Sequence, residues 1–80
     1  MIKKIEGLDN NFLIEDLELY DNRIKHIENI EHLTNLVYLD LSFNRLKEIQ
    51  GLSTLVNLRK LYLSSNRLRK IEGLDNLTVL

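Results

Sequence analysis

The heptapeptide KIEGLDN occurs twice, at Lys4–Asn10 and at Lys70–Asn76, 66 positions apart. Repetition at a fixed period constrains a chain more than its composition does. Each unit must take the same shape and bury its apolar side against the next. Sixty-six is three times 22, and a 22-residue cut aligns the chain without a gap. Residues 14–35, 36–57 and 58–79 are full units, and residues 2–13 are the second half of another. Leu80 opens a further unit, and residues 1–80 are read as one domain.

The aligned columns have physical meaning. Leu17, Leu39 and Leu61 form one apolar column and Leu19, Leu41 and Leu63 the next, two residues on. Spacing of two is strand spacing. Then come Ile24, Leu46 and Leu68; Ile27, Ile49 and Ile71; Ile30, Leu52 and Leu74; Leu33, Leu55 and Leu77, each column three residues after the last. A period of three predicts an extended or 3₁₀-like return and argues against a long α-helix. Asn22, Asn44 and Asn66 share the column after the strand, where an amide can both donate to and accept from a turning backbone. Gly7, Gly51 and Gly73 share another column and are expected to serve the bend.

The pattern L-x-x-L-x-L-x-x-N-x-L, as in Leu36–Leu46 and Leu58–Leu68, resembles the leucine-rich repeat. The strict 22-residue period and phrases such as LDLSFNRL and RKIEGLDNL resemble the subfamily typified by the nuclear regulatory subunit of protein phosphatase 1. Ciliary, centrosomal and spliceosomal proteins share that coil. The resemblance implies an α/β, right-handed leucine-rich repeat solenoid. Short parallel β-strands would line its concave face and extended or 3₁₀ returns its convex face. It also implies that a protein partner binds the concave face, with the catalytic subunit of protein phosphatase 1 as the subfamily's example.

The side chains between the strand leucines point to that face. They are Asp16, Glu18 and Tyr20, then Tyr38, Asp40 and Ser42, then Lys60, Tyr62 and Ser64, with Phe43 just past the second strand. Aromatic anchors ringed by charge suit a protein interface. Tyr20, Tyr38, Tyr62 and Phe43, with Asp16, Glu18 and Asp40, are therefore the candidate binding residues. Arg23, Arg45 and Arg67 follow the asparagines, and Lys25, Lys47 and Arg69 stand two residues on. This edge is expected to be solvated, its charge offset by the strand acids, with contact to an acidic partner as the alternative.

Composition removes other classes. Eleven basic and 12 acidic residues give a net charge of −1, which disfavours nucleic acid and anionic membranes. Cysteine is absent, so disulfides and thiolate metal sites are out, and no cofactor is expected. The start, Met1-Ile2-Lys3-Lys4, is no signal peptide and no apolar run is long enough to span a bilayer, so the cytoplasm or nucleus is expected. Without a secretory signal, the sequon Asn76-Leu77-Thr78 reads as chance. No catalytic constellation can be assembled: His26 and His32 read as solvated surface residues, and the serines fall in variable columns. An enzyme is not expected.

Neither end carries a polar cap of the kind a solenoid needs, and the subfamily's terminal cap is missing. The expectation is a piece of a longer array or a minimal stack. Open strand edges and apolar ends invite self-association. Glu15 and Asp16 on the first strand face the opposite charge of Arg59 and Lys60 on the third if copies stack head to tail. Two functional readings stay open: a partner-binding scaffold, and a structural or self-assembling repeat, ciliary, cytoskeletal or engineered.

Overall fold

A computed structural model describes residues 1–80. Three short strands, β1 (Asp16–Glu18), β2 (Tyr38–Asp40) and β3 (Lys60–Tyr62), form one parallel sheet in the order β1-β2-β3. Asp16 pairs with Tyr38 and Tyr38 with Lys60, so each step across the sheet is one 22-residue unit. Each strand carries one central leucine, Leu17, Leu39 or Leu61, turned inward. The ladder continues past the strands: Leu19 N–H donates to Asp40 C=O (2.8 Å), Asp21 N–H to Ser42 C=O (3.0 Å) and Phe43 N–H to Ser64 C=O (2.9 Å).

The returns contain no helix. They are strings of single turns closed by bonds between residues three apart. Leu33 N–H donates to Ile30 C=O (3.0 Å) and Leu36 N–H to Leu33 C=O (3.1 Å). Leu55, Leu58, Leu77 and Leu80 repeat the scheme in the next two coils. This is 3₁₀-type bonding without a continuous 3₁₀-helix, and it explains the three-residue apolar period. The helical half of the α/β class is thus reduced to isolated turns.

The inward columns make one apolar core from Ile5 to Leu77, densest in the unit 36–57. The asparagine column closes the turn after each strand. Asn44 Nδ2–H is shared among the carbonyls of Leu19 (2.9 Å), Leu41 (3.1 Å) and Ser42 (3.1 Å). Its Oδ1 accepts from Ile24 N–H at 3.0 Å. Asn66 repeats these bonds one coil on, to Leu41, Leu63 and Ser64, and accepts from Leu46 N–H. Asn22 keeps only the local carbonyls of Leu19 and Tyr20, and accepts from Ile2 N–H. The half-unit at residues 2–13 is tied to β1's coil there, where Arg23 N–H also donates to Ile2 C=O at 2.8 Å.

A further set of polar side chains links the returns. Asn29, Asn35, Asn57, Asn76, Thr54 and His32 each bond a carbonyl of the preceding unit. His32 is therefore not a solvated surface residue. It is half-buried, its Nε2 lies 2.7 Å from Leu8 C=O, and its ring meets Phe12 edge-on at 5.5 Å. The glycine column has positive φ throughout, with Asn29 (φ 61°) as its fourth member. At Gly51 a side chain would also sit 2.9 Å from Ile27 C=O.

Candidate functional site

The pairing places Asp16, Tyr38 and Lys60 in one row across the sheet and Glu18, Asp40 and Tyr62 in the next. Alternation along a strand sends these six side chains to the same face. Tyr38 and Tyr62 lie diagonally, ring centroids 5.4 Å apart and tilted by 47°. Tyr38 is half-buried and Tyr62 is 45% exposed. Partial removal from water raises the Tyr38 hydroxyl pKa above the usual tyrosine value. Asp40, Glu18, Tyr62 and Asp16 push it the same way, in that order. The phenol hydroxyl therefore sits in a negative field set by three named carboxylates. Asp40 also has a structural task, because its Oδ1 accepts from Ser42 N–H at 2.9 Å and so ties down the end of β2.

The other two aromatic candidates stand apart. Tyr20 lies beyond the end of β1 and is 55% exposed. Phe43 is 60% exposed and has φ 58°. Neither joins a ring contact; the paired rings are Tyr38 with Tyr62 and Phe12 with His32. The four-aromatic patch expected from the sequence is thus a Tyr38–Tyr62 pair with two outlying rings. The third row differs as well. Ser42, expected to face outward, is buried, and Ser64 Oγ–H donates to its Oγ at 3.1 Å.

Phe43 is an outlier on physical grounds. Asp21, Phe43 and Ser65 occupy one column, all with positive φ. Aspartate and serine bond their own backbone readily in turns, whereas a bulky apolar ring in this conformation is disfavoured. A strained, exposed phenylalanine next to the sheet face marks a position that folding alone does not explain. The 22-residue alignment carried the signal, since Phe43 shares its column with Asp21 and Ser65.

On the edge beyond the asparagines, no side chain of the arginine and lysine columns forms an ion pair. The molecule's single ion pair, Lys70 Nζ to Glu72 Oε2 at 3.3 Å, lies outside them. The strand acids point to the sheet face, one turn away. No group of three or more histidine and acidic side chains is placed to hold a metal ion. No helix is long and apolar enough to cross a membrane.

Known proteins match this architecture. The family model described as Leucine Rich repeats (2 copies) matches residues 8–54, and the model described as Leucine Rich Repeat matches residues 57–78. No curated protein matches. Among solved structures, an internalin (inlF) from Listeria monocytogenes is similar at 42% identity and TM-score 0.79, over 84% of this chain and 20% of its own. An internalin C2 from the same species is similar at 29% identity and TM-score 0.85, over 91% of this chain and 32% of its own. The chain thus spans between a fifth and a third of the length of these two internalins.

Proposed function

Because the chain belongs to the leucine-rich repeat family, whose members generally serve as protein-interaction scaffolds, we propose that it is a non-catalytic scaffold binding a protein partner on its sheet face. The observation that carries this reading is the Tyr38–Tyr62 pair, held by the rigid parallel register among Asp16, Glu18 and Asp40. Paired, partly exposed tyrosines offer large contact area with few rotors to immobilise. Tyr20 and Phe43 extend that face past the strand ends.

The 22-residue idiom supports the catalytic subunit of protein phosphatase 1 as the first partner to try. Titration calorimetry of the purified subunit against this chain tests it directly. Binding that weakens at least about tenfold in Tyr38→Ala and Tyr62→Ala supports both partner and face. No heat with the unaltered chain removes that partner. Tight binding that survives both substitutions removes the face. Absence of cysteine supports the cytoplasm or nucleus as the compartment, which a fluorescent fusion of the natural gene reads out.

The second reading, self-association, is favoured by the unpaired outer edges of β1 and β3 and by Ile71, which is 76% exposed. Sedimentation that stays monomeric at high concentration would sink it.

A further inference from the structure

The edge lined by Arg23, Arg45 and Arg67 carries a second site. A cleft of about 340 Å³ opens across the turns of the three full units, lined by Lys25, His26, Arg45, Lys47, Gln50 and Arg67, with Glu48 its one acid and no apolar side chain. A smaller cleft, bounded by Lys3, Arg23, Lys25 and Arg45, adjoins it and shares two of its walls. The two make one furrow crossing the stacked turns.

Folding accounts for this segment's other residues. Asn22, Asn44 and Asn66 close the turns, and Ile24, Leu46 and Leu68 enter or flank the core. It gives no account of the cations. No carboxylate lies within ion-pair distance of any of them. Coil stacking spaces successive turns by about 4.8 Å, so like charges are held side by side across the furrow. The backbone fixes that spacing: Arg45 N–H donates to Ile24 C=O at 2.9 Å and Arg67 N–H to Leu46 C=O at 2.8 Å. Arg45, at the junction of the two clefts, is half-buried, whereas the other basic side chains lining them are exposed.

We propose that this furrow is a binding site for an extended acidic segment of a protein partner, distinct from the aromatic sheet face. Three turns span about 10 Å, which an extended chain covers in about three residues. Two alternate carboxylates thus reach the arginine column together. A short acidic peptide occupies the furrow alone. A long polyanion such as nucleic acid draws its affinity from many phosphate contacts, and the few cations of the furrow supply only a handful. Net charge of −1 adds no long-range attraction for such a polyanion.

The test is titration of the ¹⁵N-labelled chain with a hexaglutamate peptide, with hexathymidylate and hexalysine run in parallel. Hexaglutamate is expected to shift the amides of residues 23–25, 45–47 and 67–69, and to lose its effect as salt is raised. Charge reversal in Arg45→Glu or Arg67→Glu is expected to weaken it at least about tenfold, and Lys47→Gln about threefold. Lys47 and Arg67 are exposed, so these variants separate lost binding from lost folding, and circular dichroism checks each. Tyr38→Ala must leave hexaglutamate binding unchanged. The proposal is overturned by absent shifts at millimolar peptide, by binding indifferent to Arg67→Glu and Lys47→Gln, or by dependence on Tyr38. Tighter binding of hexathymidylate overturns it in favour of a nucleic-acid groove.

Discussion

The middle unit, residues 36–57, and the last, residues 58–79, place the same residue types in the same columns, yet they are not equally buried. Leu39, Leu46 and Leu52 are buried, while their counterparts Leu61, Leu68 and Leu74 are only half-buried. The contrast is sharpest at the isoleucines: Ile49 is 4% exposed and Ile71 is 76% exposed. A coil supplies half of the cover for its neighbour and none for itself. Stability in a stack of this kind is a sum over interfaces, so a side chain's worth depends on how many coils touch it.

Four measurements break or sharpen that comparison. The largest effect belongs to the asparagine column. Asn44→Ala strips a partner from buried Ile24 N–H and from three carbonyls and is expected to cost about 3 kcal/mol, against about 1 kcal/mol for Asn22→Ala, which has no preceding strand to bond. Urea midpoints at unchanged slope read the difference, and equal losses would mean the ladder is not cooperative across coils. Next, Ile49→Ala is expected to cost about 3 kcal/mol as a buried cavity, and Ile71→Ala less than about 0.5 kcal/mol as a surface change. A comparable loss at Ile71 in a concentrated sample would reveal that another molecule covers it.

The bends give a smaller contrast. Gly51→Ala meets Ile27 C=O and a left-handed backbone and is expected to cost about 2 kcal/mol, whereas Gly7→Ala meets open space and costs about 1 kcal/mol for the backbone alone. Thermal midpoints distinguish the two. The smallest effect concerns Tyr38, on the one strand with neighbours on both sides. Its ultraviolet or NMR titration is expected above the usual tyrosine range and should fall towards it in Asp40→Asn. A raised folded-state pKa favours the neutral phenol, so the stability it contributes is present below the unfolded pKa. It is lost as pH rises through the folded value.

Much of the fold was legible from the columns. Two-residue spacing gave the strands, three-residue spacing the turn-built returns, and the shared asparagines the ladder at the strand ends. Residues whose role depends on a neighbour's backbone were harder to read. His32 looks like a surface imidazole until Leu8 C=O is seen one coil away, and Asn29, which tolerates the positive φ of the glycine column, bonds Ile5 C=O there. Position along the period flags both residues as outward, but only stacking supplies the carbonyl each one bonds. The candidate site was legible as a list and not as a patch. Alternation identified Tyr38 and Tyr62, but their contact depends on diagonal register, and Tyr20 and Phe43 fall beyond the strand ends.

The sequence by itself determined the period, the inward and outward columns and the bend positions. Each follows from local backbone geometry applied identically in every unit. The tertiary structure decided which of the identical leucines and isoleucines are worth burying, which two tyrosines touch, and that the arginine columns form no ion pair. Those are properties of coil against coil: burial, ring contact and charge pairing all require a second surface at a fixed distance, and stacking alone sets that distance.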